Sequence, residues 1–501
     1  MIISVNWLKK FTAIDMPIDE LTERIGARLV EIEGVEDLGE KYKDVLVVKV
    51  VECRKVEDTD HLNLTKIDDG GVAKDVERDE NGLIQVVCGA PNARAGMKGV
   101  FAPVGVYVPG IDLKLKAGEI RGEASNGMLC SEREMELSDE HDGIIDLPAD
   151  APVGAAFAVY AGLDDPIIEI AITPNRADCL GVRGVARDLA AAGYGTLKEV
   201  DVSAHEGAFD SPITWNIDAG AHGFCPRISG CAFRGLRNGA SPAWLAQRLM
   251  AVGQRPISAL VDITNYVMID LGRPLHAYDV AKIKGDNLTI RAASDGETMT
   301  ALNEKEYKLD SSMFIIADTH GADDLAGIMG GERTGVSNST TEMFLEVAIF
   351  DPISVATTAR KLNINSDARY RFERGLDVTS PDWVQGHVAR LVTSICGGEA
   401  SHVTTAGEGA HWQREISLAA DKVQRLTGMD VPAADQVAIL EALGFTVAAG
   451  DGGWTVSPPP WRNDIDGAAD LVEEIGRIYG YHPLPMDHLP RELVVAQPSL
   501  N

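Results

Sequence analysis

The stretch LVDITNYVMIDLGRPLHAYD, residues Leu260 to Asp279, decides how this chain is read. Leu260, Ile263, Val267 and Leu271 recur near helical spacing, and Gly272 followed by Pro274 closes the element. The same stretch sets Asp262, Thr264, Asn265 and His276 among valine, isoleucine, methionine and leucine. Polar groups in such surroundings need partners, because burying them unpaired is costly. Two readings satisfy them: a site for a small polar molecule, or a polar network that only fixes a turn.

Downstream, LAGIMGGERTG (Leu325 to Gly335) carries Gly327, Gly330, Gly331 and Gly335. It lacks the GK[ST] ending of a Walker loop. Glycine allows close backbone approach to a ligand, or a tight turn between strands. FLEVAIFDP (Phe344 to Pro352) places Glu346 in an otherwise apolar strand. A carboxylate there needs a partner. One is an arginine of SDARYRFERG, namely Arg369, Arg371 or Arg374. The other is the hydroxyl of a ligand.

Upstream, the pattern from Val45 is all-β. VLVVKVVECRKV, LTKIDD, LIQVVCGA and KGVFAPVGVYV are short apolar or alternating runs separated by glycine, proline and asparagine. That spacing predicts a small closed barrel such as an OB-fold. Arg94, Lys98, Lys114, Lys116 and Arg121 lie within it, between or beside QVVCGAPN (Gln85 to Asn92) and SNGMLCSE (Ser125 to Glu132). They are candidates for phosphate contact, since such barrels bind nucleic acid on one face. Solvated loop charges are the plainer account. IIEIAITPNRADCLGVRGVARDLAAAGYG then reads as strand, turn and helix, with Asp178 as a helix cap and Arg183 and Arg187 on one face.

Near the C-terminal end, PPPWRNDIDGAADLVEEIGRIYGY predicts a helix from Ala468, stopped by Gly480 and Pro483. Asp470, Glu473 and Glu474 are three and four positions apart, and Asp464 can fold back on them. Clustered carboxylates repel unless a cation joins them, and hard oxygen ligands suit Mg²⁺. The alternative is a solvated acidic face with Arg477 pairing Glu473 or Glu474.

The bulk properties bound these readings. A chain of 501 residues exceeds one core and predicts three or four domains. The seven cysteines are scattered without a CxxC pair, which argues against a zinc ribbon or disulfide scaffold and for a reducing compartment. No apolar run reaches membrane-spanning length, and the N-terminus lacks a secretion signal pattern. A formal net charge of −30 argues against nucleic-acid binding by the whole surface and leaves room for a local basic patch.

The strings LVDITNYVMIDLGRPLHAYD, VVCGAPN, SNGMLCSE and TPNRADC together resemble the beta subunit of bacterial phenylalanyl-tRNA synthetase, in family order over essentially the whole chain. The resemblance implies an α+β multidomain protein. An N-terminal α+β domain (1–39 and 151–204) is split by an OB-fold tRNA-binding barrel (40–150). An α/β editing domain (205–404) and a small winged-helix-type domain (405–482) follow, with 483–501 as the start of a C-terminal region that family members continue; the chain is therefore expected to be truncated. The implied function is ATP-dependent attachment of phenylalanine to tRNA(Phe). A tetramer of two alpha and two beta chains does this in the cytoplasm, with no membrane and with the synthetic site on the alpha subunit. This chain would bind tRNA and hydrolyse mischarged Tyr-tRNA. Positions matching the family's editing pocket are Thr264, Asn265, His276, Gly327, Gly330, Glu346, Ser366 and Ala368, with Glu346 recognising the phenol. Positions matching its magnesium site are Asp464, Asp470, Glu473 and Glu474. No Ser-His-Asp or Cys-His set is evident, so hydrolysis would rest on placing water and the terminal hydroxyl of the tRNA. The rival reading is a non-catalytic tRNA-binding or assembly protein with a vestigial pocket.

Overall fold

Alternating burial shapes the first of two compact units, residues 4–6 and 34–168. The computed structural model describes residues 1–481 apart from 58 and 60, together with residue 484. In this unit five antiparallel strands run in the order Gly127–Leu129, Lys98–Pro103, Leu46–Lys55, Asn63–Asp68, Ile84–Cys88. Inward side chains Val48, Val50, Ile67, Ile84, Val86 and Phe101 fill the interior. A bulge between Val50 and Glu52 bends the long strand, as an extra residue on one side of a ladder does. The sheet edges then nearly meet. Asn126 N–H donates to the Gln85 carbonyl at 3.0 Å, and Val87 N–H donates to Ser125 Oγ at 3.1 Å. QVVCGAPN and SNGMLCSE thus form the seam of a nearly closed barrel. Asn92 extends the seam, bonding the backbone of Ile144 in both directions.

The second unit comprises residues 1–3, 7–33 and 169–501. Its central part holds a two-stranded hairpin, Thr298–Thr300 with Glu306–Lys308, and two larger sheets. One runs Thr214–Ile217, Asn287–Ala292, Phe314–Ala317, Ala322–Leu325; the other runs His276–Asp279, Glu342–Ile349, Arg227–Arg234, Glu399–Ala400, with Thr404–Ala406 also on Arg227–Arg234. Only Thr214–Ile217 and Asn287–Ala292 pair in parallel. The α/β expectation for this region is corrected accordingly. Its sheets are mainly antiparallel, with helices Ala259–Leu271 and Ser380–Cys396 packed together beside them, an α+β arrangement. Gly272 ends the first helix in the left-handed conformation. Within that helix the polar residues are partly a local network. Asp262 accepts from Ser241 Oγ and Ile257 N–H, and Thr264 Oγ1 donates to the Val261 carbonyl at 2.7 Å.

Residues 416–479 form a three-stranded antiparallel sheet, Ile416–Ala419, Gly453–Ser457, Thr446–Gly450, with three helices, Lys422–Thr427, Ala433–Ala442 and Ala468–Tyr479. The expected start of a further region at 483–501 lies outside the described residues, except for residue 484.

TPNRADC is not a capped helix start. Ala177–Cys179 is a short 3-10 turn, and the α-helix begins at Val182. Gly181 permits close packing at that start. A Cβ there would stand 2.2 Å from the Gly272 backbone nitrogen, so the helix start packs directly on the end of Ala259–Leu271. Asp178 joins an ion-pair network instead. Arg176 holds Asp178 (3.0 Å) and Asp188 (2.8 Å), Arg477 bridges Asp188 (2.8 Å) and Glu474 (2.6 Å), and Arg462 joins Glu474 to Asp464 (2.8 Å). Arg187 reaches Asp178 at 3.3 Å and stacks over Trp461. Four guanidinium groups thus neutralise four carboxylates in a largely buried knot. Burial would raise the carboxyl groups, but Arg477 and Arg462 hold Glu474 down to about 2, and Arg176 and Arg462 hold Asp178 lower still.

Candidate functional site

His276 and Glu346 face each other in register across the strands His276–Asp279 and Glu342–Ile349. Cross-strand partners project to the same face of a sheet. Here that face opens on a small, half-open cleft of about 60 Å³, lined by His276, Asp324, Gly327, Gly330, Glu346 and Ala368, with Phe350 and Phe372 among its apolar wall. That is well below the roughly 300 Å³ of ordinary small-ligand pockets, so a side chain as large as tyrosine would have to widen it on entry.

Glu346 is 6% exposed, and among the described residues its carboxyl makes no hydrogen bond or ion pair. Arg369 pairs with Glu373, Arg371 bonds the Leu180 carbonyl and neighbours Asp367, and Arg374 pairs with Glu373. The arginines of SDARYRFERG therefore do not serve Glu346. The charge that acts on it is Arg273, buried and bonded to Ser380 Oγ and the Ala348 carbonyl. Burial pushes the Glu346 carboxyl up to about 8; Arg273 opposes the rise and Asp324 adds to it. The same burial lowers Arg273 to about 10.

The glycines have distinct uses. Gly327 takes a positive φ of 72°. Gly330 is needed for space: a Cβ there would lie 2.2 Å from His276 Cε1. The imidazole ring rests directly on the Gly330 backbone and packs edge-on against Tyr278, with ring centroids 4.5 Å apart.

Three expected pocket residues stand elsewhere. Thr264 and Asn265 lie half-buried on Ala259–Leu271 and do not line the cavity. Ser366 supports the wall from behind. It caps the helix Asp367–Phe372, which carries Ala368, and donates to the Ile328 carbonyl at 2.6 Å. Two cavity-associated residues escaped the sequence reading. Asp324 had a signal, a pair of adjacent aspartates before the glycine-rich run; Arg273 lay inside the quoted stretch itself.

The four carboxylates expected to hold magnesium do not converge. Glu474 is buried between Arg462 and Arg477, and Arg462 takes both oxygens of Asp464. Asp470 caps its own helix through the N–H groups of Asp466 and Gly467, leaving only Glu473 exposed. Asp178, Cys179 and Asp188 do gather within 4.8 Å, but Arg176 already supplies their positive charge.

In the barrel unit, Arg94 pairs with Asp146 at 2.7 Å and Lys98 donates to the Ala151 carbonyl. Lys114, Lys116 and Arg121 are exposed. Arg121 and Gly122, both at positive φ, form the two-residue tip of the hairpin Gly118–Ile120 and Glu123–Ser125.

Three family profiles match: "Putative tRNA binding domain" over residues 45–156, "B3/4 domain" over 224–397 and "tRNA synthetase B5 domain" over 416–481. Phenylalanine–tRNA ligase beta subunits of Brucella abortus and Mesorhizobium japonicum are 46% and 48% identical, covering 97% and 95% of this chain. That of Rhodopseudomonas palustris is 44% identical over the full chain. Over nearly all of its length, this chain is similar to phenylalanine–tRNA ligase beta subunits. It spans 59%, 58% and 61% of the length of those three relatives. A solved N-terminal fragment of the phenylalanyl-tRNA synthetase beta subunit from Pyrococcus horikoshii is 16% identical. It covers 63% of this chain and 88% of its own, with a TM-score of 0.35. In the terms of the family profiles, the cavity lies within the B3/4 segment and the ion-pair knot ties the B5 segment to the helix Val182–Ala191.

Proposed function

We propose that this chain supplies the tRNA-binding and ester-editing parts of a phenylalanine–tRNA ligase, hydrolysing Tyr-tRNA in the cavity around Glu346. The observation that carries the reading is a buried carboxyl without a partner on the wall of a small, largely apolar cavity. Tyrosine and phenylalanine differ by one hydroxyl. An apolar pocket discriminates poorly against that addition, whereas a site built to bond it rejects the analogue lacking it by roughly 10⁴-fold. Phenylalanine would leave the Glu346 carboxyl unsatisfied. Ala368 leaves room for the ring, and His276, opposite Glu346, is placed to orient water. The terminal hydroxyl of the tRNA supplies the neighbouring group that proximity makes effective.

The wider reading follows the family. The barrel (40–150) is an OB-fold that contacts tRNA(Phe) through Lys114, Lys116 and Arg121, with Arg94 and Lys98 contributing less because both have protein partners. It interrupts an N-terminal domain made of 1–39 and 151–204. Residues 205–404 are the editing domain, and 405–482 are of winged-helix type. An alpha subunit, in a tetramer of two alpha and two beta chains in the cytoplasm, binds ATP and phenylalanine. Asp464, Asp470, Glu473 and Glu474 as they stand do not fit one Mg²⁺, since arginines occupy two of them. A metal role here would rest on Asp470 and Glu473 beside the alpha subunit, and no step of hydrolysis involves it.

The test is the ratio of Tyr-tRNA to Phe-tRNA deacylation by the purified chain and by Glu346→Ala. The ratio should collapse in the variant while the protein stays folded. An unchanged ratio would place specificity elsewhere. No hydrolysis by either protein would favour a tRNA-binding or assembly protein with a vestigial pocket.

A further inference from the structure

Asp324 stands on the cavity wall beside His276, on the strand Ala322–Leu325. It is 3% exposed. Its carboxylate is held from two sides: Tyr278 donates its hydroxyl to Oδ2, and Gly331 N–H donates to Oδ1 at 2.7 Å. Two fixed donors leave it little freedom to turn. Oδ1 lies 3.5 Å from His276 Nε2. Among the described residues that nitrogen is buried without a hydrogen-bond partner, because 3.5 Å is too long for a good bond. It nevertheless faces a carboxylate oxygen, Oδ1 of Asp324. Glu346 faces the ring from the opposing strand, Tyr278 flanks it on its own strand, and Gly330 packs against its edge. The ring is thus confined with Nε2 turned inward.

A neutral imidazole carries one proton, and the hydrogen bond at one nitrogen decides the role of the other. A carboxylate facing Nε2 favours a proton there. Nδ1 is then left with its lone pair. We propose that Asp324 is a positioning residue of the pocket: it holds His276 in the Nε2–H tautomer, so that Nδ1 presents an acceptor to water or to a hydroxyl of the bound ester. The role in hydrolysis rests on the editing reading above; the tautomer does not. Asp324 has no contact with the phenol in this arrangement. It governs how His276 receives a proton, whereas Glu346 governs which amino acid is held.

Imidazole ¹⁵N correlation spectra of the whole chain read the tautomer directly, at a pH where the ring is neutral. The wild-type chain should show His276 almost entirely as Nε2–H. Asp324→Ala should raise the Nδ1–H form to about a third or more of the population and slow Tyr-tRNA hydrolysis about tenfold, since a positioned acid or base contributes at least that much. Asp324→Asn keeps an oxygen towards Nε2 and a partner for Tyr278, so its effect should be smaller in both readouts. It also serves as the folded control if the alanine variant is unstable. A tautomer ratio unmoved in both variants would overturn the proposal. A shifted tautomer, with no hydrolysis even by the wild-type chain, would uphold the positioning role and overturn the editing reading alone.

Discussion

Replacing Glu346 with glutamine should flatten the dependence of stability on pH. A carboxyl that ordinarily titrates at 4.5 and here at about 8 binds its proton more tightly folded than unfolded. Below about pH 4.5 both states are protonated and the group contributes nothing to the balance. As pH rises, the unfolded chain ionises Glu346 in water while the folded chain keeps it neutral, so folding grows less favourable. Linkage puts the loss at about 3 kcal/mol by pH 7 and about 5 kcal/mol above pH 8, where the folded group also ionises and the curve levels. Glutamine has no proton to lose, so the variant escapes this slope. The Asp323 carboxyl is also raised, to about 7, by burial and by Asp324 and Asp318. It slopes the same way in both proteins and drops out of the difference. The assay is hydrogen exchange of the amides in Glu342–Ile349, with urea unfolding of the whole chain, at pH 5, 7 and 8.5. The stability of the variant relative to wild type should rise steadily across that series. A constant offset means that Glu346 is charged in the folded chain. Its lack of a partner would then no longer support a site that recognises a hydroxyl.

Other outcomes follow from the same geometry. Arg462→Met removes the cation from Asp464 and leaves Glu474 with Arg477 alone, and should cost about 3–5 kcal/mol in urea unfolding, the usual penalty for breaking a buried ion pair from one side; a loss below ~1 kcal/mol would mean that the knot rearranges. Gly330→Ala should displace the imidazole by steric contact and reduce Tyr-tRNA hydrolysis about 100-fold without unfolding, as small misplacements at reacting groups do; a normal rate would remove His276 from the chemistry. Substituting Lys114, Lys116 and Arg121 together with alanine should lower the salt slope of tRNA binding by about 2, while substituting Arg94 and Lys98 should barely change it; equal effects would show that the internal partners of Arg94 and Lys98 do not matter. Asp470→Asn with Glu473→Gln should abolish any Mg²⁺-dependent gain in the melting temperature of the alpha–beta complex and leave the isolated chain unaffected; a retained gain would exclude these two carboxylates.

Local spacing was enough for the elements. Alternation in VLVVKVVECRKV and LIQVVCGA specifies which side chains turn inward, and a closing barrel follows because the inward ones must be covered. The helix Ala259–Leu271 and its stop at Gly272 were legible in the same way, from apolar periodicity and a residue suited to positive φ. Glu346 stood out because a carboxylate in an apolar strand is costly wherever that strand lies. What it faces was not legible. His276 meets Glu346 through the register of two strands 70 positions apart, and Asp324 arrives from another sheet. Two of the arginines that the sequence offered as partners, Arg369 and Arg374, are satisfied within their own segment by Glu373. The acidic helix failed as a cluster for a related reason. Spacing places Asp470, Glu473 and Glu474 near one another, but Glu474 also lies beside the buried stripe of Leu471, Ile475 and Ile478, where Arg462 and Arg477 reach it. Sequence records which charges need partners. Tertiary structure decides which partners arrive, because that depends on strand register and on contacts between segments far apart along the chain.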